Sequence, residues 1–249
     1  MTTFYFHGAP GSGHELSLFG QDPPSDWQVV DRSQNTSRSA FNNWLDKFAG
    51  EVDAAAKSGS VRLVGFSIGA FVALQVASRL SAKNVTVDLI SPAGPLQACD
   101  DRQSLAGASV FRLAERSPHL FSIMVSAQSF VARKWPGGLV AALFKSAKGN
   151  DVGLAKKAAF RAFMIKNLSI GLGGCSQAYR TEIHAYVDDW RSTLDEVSSA
   201  VQIWHGSADN WATPQMGEYL GARLKNSTRV SILPGRSHYS ALEWFLGQK

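Results

Sequence analysis

Residues 61–69, VRLVGFSIG, run an apolar, strand-like stretch into a helical pattern through one serine set between two glycines. A bend that abrupt brings the incoming strand and the outgoing helix nearly into contact, so positions two before and two after Ser67 must be small. A chain holding such a junction has to alternate strand and helix around it. That requirement constrains the fold more than any bulk property does.

The alternation extends along both ends of the chain. Residues 3–7 (TFYFH) read as a buried strand closed by GAPGSG, and residues 27–31 (WQVVD) as a second strand after a Pro23–Pro24 turn. Phe41, Trp44, Leu45, Phe48, Val52, Ala55 and Ala56 then fall at amphipathic-helix spacing, with Ser39 as N-cap and Gly59 as stop. Further strands are predicted at 61–66, 85–90, 201–205 and 229–234. Helices are predicted after Ser67, with Phe71, Leu74, Ala77 and Ser78 on one face, after Thr213-Pro214, and over 240–247. Between the fourth and fifth strands about a hundred residues carry only helical patterns, at 111–117, 139–147 and 156–168. The expected fold is α/β, a mostly parallel sheet of about six strands flanked by helices, with an inserted helical lid. Residues 1–95 and 196–249 form the core and 96–195 the insertion.

Composition narrows the function classes. The 249-residue chain is 45% hydrophobic and 18% charged, ordinary for a soluble globular protein. It has no apolar run long enough to span a bilayer, and its first residues do not form a secretory signal. Two cysteines, Cys99 and Cys175, are too few for a disulfide framework. A cytoplasmic setting with reduced, buried thiols is expected. Of the 25 lysines and arginines, twelve lie in residues 102–181 beside only two acids, Glu115 and Asp151. That segment carries +10 and the remainder −5. It reads as a solvated face, or as a surface that draws anionic substrates, an anionic membrane or an acidic partner.

Chemistry concentrates at strand ends. In Gly65-Phe66-Ser67-Ile68-Gly69 the serine has the setting of a nucleophile elbow, and a serine hydroxyl needs a base to act at neutral pH. Of six histidines, His238 lies just after the last strand, at the carboxyl edge of a parallel sheet, where Ser67 also projects. His7 and His205 end strands as packed turn residues, His119 and His184 fall in the insertion, and His14 borders a possible pocket with His7 and Phe66. Asp209, in the loop after the fifth strand, is the acid to orient His238, although an Asx-turn role is equally open to it; Asp100 and Asp101 are the fallback. Backbone N–H groups of Ala9 and Ile68 are the expected oxyanion donors. The glycines at 8, 11 and 13 match neither a dinucleotide fingerprint nor a phosphate loop, and no Tyr-x-x-x-Lys occurs. No His-x-x-x-His or cysteine pair has metal spacing, so no metal or cofactor is expected. Nor does a nucleic-acid motif accompany the bases.

HGAPGSG, LVGFSIGA, IWHGSADNWATP and LPGRSHYSAL resemble the α/β-hydrolase superfamily, in its single-domain, lid-bearing serine hydrolases. The resemblance implies a Ser67–Asp209–His238 triad, oxyanion donors at Ala9 and Ile68, and a lid over the site. Two departures stand out. Only Met1 and Thr2 precede the first strand, so the two strands that usually open this fold are expected to be missing. Serine at the elbow, not aspartate, argues against dehalogenase or epoxide-hydrolase chemistry. The expected activity is cleavage of a carboxylic ester or thioester of a small, partly apolar substrate, with an anionic group suggested by the basic lid. The same triad serving C–C hydrolysis, acyl transfer or another non-ester reaction is the alternative, as is a non-catalytic binding protein. Membrane contact through the lid is a lesser expectation.

Overall fold

The computed structural model describes residues 1–17 and 25–248. The expected Pro23–Pro24 turn lies outside them. Six strands, β1 (Thr2–Phe6), β2 (Trp27–Val29), β3 (Val61–Phe66), β4 (Val85–Ile90), β5 (Ala200–Gly206) and β6 (Ser227–Leu233), form one sheet in the order β2-β1-β3-β4-β5-β6. Every pairing is parallel. The sheet therefore has one carboxyl edge, and the loops after β1, β3, β5 and β6 all open onto it. β2, the edge strand, is only three residues long. It ends before residues 30 and 31, although the Val30 N–H still donates to Tyr5 O at 2.9 Å, and just beyond it the buried Arg32 donates from Nη2 to the His7 carbonyl at 2.7 Å.

Helix α1 (Arg38–Ser58) follows β2 and α2 (Ile68–Ala77) follows β3. The N-cap of α1 is Ser37, two residues before the expected Ser39, and its Oγ accepts the Ala40 N–H at 3.1 Å. All ten residues of α2 are buried, not one face only, so Ser67 opens a helix enclosed on every side.

Between β4 and β5 the described residues form helices only: α3 (Ala108–Arg116), α4 (Pro118–Lys134), α5 (Pro136–Leu143), α6 (Asp151–Leu154), α7 (Ala158–Leu168), α8 (Ser176–Val187) and α9 (Thr193–Glu196). A π-helical turn at Ser169–Gly174 joins α7 to α8. Its Gly171 lies so close to the β1 loop that a Cβ there would sit 2.2 Å from the Gly11 carbonyl oxygen. α8 packs into the main core, where the Tyr186 hydroxyl donates to Gly94 O at 2.8 Å. α10 (Pro214–Arg223) follows β5, and α11 (His238–Leu246) closes the chain. Cys99 and Cys175 are free but half-buried, not fully buried as expected.

Candidate active site

The β3–α2 bend has the geometry the glycines imply. Ser67 sits at φ 55° and ψ −125°, a strained conformation for a residue with a side chain. Its N–H donates to Ile90 O at 3.1 Å and its carbonyl accepts Ala70 N at 3.0 Å, so backbone bonds hold the strain. A Cβ on Gly65 would lie 2.6 Å from Ala70 Cα, and one on Gly69 would lie 2.1 Å from the Phe6 carbonyl oxygen. Only hydrogen fits at either place. Ile68, as the first residue of α2, has an N–H with no partner inside the helix.

His238 and Asp209 meet through their loops. The Ala208 N–H donates to Arg236 O at 2.8 Å and Ser237 Oγ to Ala208 O at 3.2 Å, lacing the β5 loop to the β6 loop. His238 Nδ1 then lies 2.8 Å from Asp209 Oδ2. The other carboxylate oxygen, Oδ1, accepts the N–H groups of Trp211 at 2.9 Å and Ala212 at 3.2 Å. The Asx-turn and histidine-orienting roles coexist in this residue, one oxygen for each. Burial disfavours the Asp209 carboxylate, but His238 and these donors outweigh it and hold its pKa below the usual range. Burial likewise disfavours protonated His238, yet Asp209 raises its pKa above the ordinary 6.5. The imidazole is stacked 5.4 Å from Trp211 and packed at a tilt 4.8 Å from Phe66.

His238 is the first residue of α11, which starts two residues earlier than the sequence pattern suggests. The reason is an acid from the segment between β4 and β5. Asp151, at the start of α6, accepts Tyr239 N at 2.9 Å on Oδ2 and Ser240 N at 2.7 Å on Oδ1. Ser240 Oγ also accepts the Ser237 N–H at 2.8 Å. The orphan donors of the first turn are thus satisfied, and the helix extends back to His238.

Ser67 and His238 border one small cavity of about 20 Å³ with Gly8, Ala9, Phe66 and Trp211. No hydrogen bond joins Ser67 Oγ to His238 among the described residues; catalytic contacts of this kind commonly tighten only with substrate in place. A larger cavity, about 310 Å³, is also lined by Ser67, together with Ile68. Its walls include Ala93, Val110, Phe111, Leu139, Leu143 and Ile183. Helices α3, α5 and α8, all between β4 and β5, supply eight of its twenty lining residues.

The loop after β1 is set by Glu15, which sequence reasoning missed. Its Oε1 accepts the Gly8 N–H at 2.8 Å and the Tyr5 hydroxyl at 2.7 Å, and burial pushes its pKa up from 4.5 to about 7. Gly8 immediately precedes Ala9, so this carboxyl pins the peptide next to the expected oxyanion donor. His7 lines a neighbouring cavity of about 230 Å³ with Arg32, Tyr179 and Glu182. Burial and then Arg32 hold its pKa well below the usual imidazole value, so it stays neutral. His14 lies apart from the Ser67 cavities, against Phe163 at 5.7 Å between ring centres. His205 is fully buried, and its Nε2 donates to Ala212 O at 2.8 Å, bracing the Asp209 loop. His184 of α8 packs edge-on against Phe121 of α4. Asp101 only caps a local turn at Ser104, and Asp100 is exposed.

A sequence model of one hydrolase family, the lipid-droplet associated hydrolases, matches residues 37–238. The chain belongs to that family. The match covers both the Ser67 bend and the Asp209 loop and ends on His238 itself. No curated protein sequence matches the chain. Among solved structures, this family member is similar to a bromoperoxidase from Bacillus anthracis, at 14% identity over 100% of this chain and 92% of that one, with a TM-score of 0.62. It is similar also to an esterase from Exiguobacterium antarcticum, at 13% identity over 100% and 90% of the two chains, TM-score 0.62. A putative lipase from Acinetobacter baumannii AYE aligns at 17% identity over 99% and 81%, TM-score 0.61. At such identities these likenesses establish the α/β-hydrolase fold of this family member and nothing finer. No helix among its described residues is long and apolar enough to cross a membrane.

Proposed function

We propose that the protein is a serine hydrolase acting on carboxylic esters with an apolar acyl chain, lipid esters foremost, through an acyl-enzyme. Ser67 Oγ attacks the ester carbonyl carbon while His238 Nε2 takes the hydroxyl proton. Asp209 keeps the other ring proton on Nδ1 and stabilises the imidazolium. The tetrahedral oxygen, now negative, is held by the N–H groups of Ala9 and Ile68. Collapse breaks the bond to the alcohol, which leaves with the proton from His238. Water then repeats the sequence on the acyl-enzyme, releasing the acid and restoring Ser67.

The observation that carries this reading is the His238–Asp209 contact of 2.8 Å at the wall of a cavity that Ser67 shares. The apolar lining of the larger cavity favours an acyl chain, and the family's description favours a lipid. Residues 96–195 act as the lid, with residues 1–95 and 196–249 as the catalytic core. Two free thiols are in keeping with a cytoplasmic setting.

Intact mass after exposure to a fluorophosphonate tests the proposal, followed by p-nitrophenyl esters of increasing acyl length. One adduct on the parent protein, lost in Ser67→Ala and His238→Ala, with turnover improving toward medium or long chains, is expected. A folded protein that takes no adduct and turns over no ester would overturn it.

A further inference from the structure

Ala9 and Pro10 form part of the wall of two cavities of different character. The larger, beside Ser67, is lined mostly by apolar side chains. The other, about 230 Å³, is the one His7 borders, and Asp31, Arg32, Tyr179 and Glu182 bring polar groups to its wall. Tyr179 lines both. Arg32 is 2% exposed and Glu182 3%, so an ion pair has been taken out of water here. Such a pair repays its desolvation only when its remaining donors and acceptors are bonded as well. The chain itself does not meet that condition. Arg32 Nη2 donates to His7 O, but Nε and Nη1 have no hydrogen-bond partner. The approach of Nε to Glu182 Oε1, at 3.4 Å, lacks hydrogen-bond geometry. The Glu182 carboxylate and the hydroxyl of buried Tyr179 make no hydrogen bond among the described residues. Buried polar groups in folded proteins are almost always bonded, so three such side chains on one wall point to a partner from outside the chain.

The charges on that wall select the partner. Arg32 and Glu182 offset one another, His7 is held neutral, and Asp31 adds a negative charge. An anion would meet two carboxylates, and a cation would meet the guanidinium. An uncharged hydroxyl suits both members of the pair, because its oxygen accepts from Arg32 while its hydrogen goes to Glu182. A water molecule takes about 30 Å³ in the liquid, and the cavity offers several times that, room for more than one hydroxyl-bearing carbon. We infer that this cavity receives the alcohol side of the ester, and that this side is a short polyol with free hydroxyl groups. The inference rests on the serine-hydrolase reading and deepens it. The acyl chain takes the apolar cavity, the ester carbonyl sits at Ser67, and the polyol passes the Ala9–Pro10 turn to reach Arg32, Glu182 and Tyr179. A site built to bond hydroxyls discriminates against an alcohol that lacks them, since its buried polar groups are then left unpaired.

Two esters test it, monooctanoylglycerol and propyl octanoate, which share the acyl group and the alcohol's carbon count and differ in the free hydroxyls. The parent should prefer the glyceryl ester in kcat/KM by at least about tenfold. Tyr179→Phe removes only a hydroxyl that bonds nothing in the chain, and Glu182→Gln keeps the size of the side chain; melting temperatures verify both folds. Each should cut the preference severalfold, and the shared acyl group cancels any effect on the apolar cavity. A second readout needs no turnover. Cys175 is half-buried on the wall of this cavity, which Cys99 does not line. In the Ser67→Ala protein, the non-hydrolysable monooctyl glyceryl ether should slow alkylation of Cys175 by iodoacetamide and leave Cys99 unaffected. No preference between the esters, a preference that survives both substitutions, or Cys175 alkylation that the ether does not slow would each overturn the inference. So would faster turnover of monooctanoylglycerol phosphate, which would make the site one for anions. Fluorophosphonate labelling of the chain with Ser67 intact reports separately on the hydrolase reading. An adduct without polyol preference sinks only the polyol site, and protection of Cys175 without an adduct sinks only the chemistry.

Discussion

Asp151, in the insertion between β4 and β5, holds the two N–H groups that directly follow His238, at 2.9 and 2.7 Å. The insertion therefore contributes to the placement of the proposed base as well as to the walls of the cavity. Gly149 and Asn150 reinforce the join: the Asn150 N–H donates to Gly235 O at 3.0 Å. A Cβ on Gly149, whose φ is +51°, would lie 2.5 Å from that same oxygen.

Asp151→Ala should lower kcat on activated esters by about tenfold or more, because uncapping the first turn of α11 loosens the His238 ring. Asp151→Asn keeps an acceptor oxygen and should recover part of the loss. Since the Asp151 charge also raises the pKa of His238, both variants should move the rise of kcat/KM to lower pH. A role confined to stability would leave that pH profile in place.

The rate profile of the parent protein follows from the Asp209–His238 pair. His238 must be neutral to take the Ser67 proton, and its pKa is raised, so kcat/KM should climb with pH around a midpoint above 6.5. Asp209→Asn removes the charge that raises it. The midpoint should drop, and the plateau should fall by about 10³ to 10⁴, the size seen when a triad loses its orienting acid. A midpoint that does not move would remove Asp209 from the proposed role.

Glu15 gives a stability signature of the opposite slope to a salt-bridged carboxylate. Its pKa rises from 4.5 to about 7 on folding, so the folded state binds the extra proton between those values. Stability from this group is complete below pH 4.5 and declines as pH rises through 7, by roughly 2–4 kcal/mol in all. Glu15→Gln keeps an acceptor for Tyr5 and Gly8 and should flatten that decline in urea melts between about pH 5 and 8. An equal decline in parent and variant would show that some other group titrates there.

Two glycines separate close approach from mere helix cost. Gly69→Ala would drive a methyl group into the Phe6 and His7 carbonyl oxygens, at 2.1 and 2.4 Å, and should cost more than about 3 kcal/mol or prevent folding. Gly50, on the exposed side of α1, has no atom within 4 Å of the place a methyl group would take, and Gly50→Ala should stabilise by about 0.5–1 kcal/mol. Thermal melts of the pair decide both.

What the sequence made readable was local. The Gly65–Gly69 spacing announced a tight bend, and alternating strand and helix patterns implied one parallel sheet whose carboxyl edge gathers Ser67, Asp209 and His238. What it concealed was tertiary. Asp151 looked like a stray acid in a basic segment, because its partners lie 88 and 89 residues away. Its one signal was isolation, an acid with no other in the 35 residues before it. Nothing in HGAPGSGHE shows that the Glu15 carboxyl turns inward to Tyr5 and Gly8. The start of α11 was misplaced for the same reason: the cap that extends it to His238 comes from another part of the chain. Ser37 in place of Ser39 is a smaller matter, two hydroxyls 3.1 Å apart with only one outside the helix.

The fastening of residues 149–151 to the β6 loop limits how the enzyme can breathe. A flap swinging as a whole would tear Asp151 from α11 and misalign the very ring that has to receive the proton. Whatever rearrangement a substrate's entry requires, residues 149–151 have to stay fastened to the β6 loop for the proposed base to stay in line.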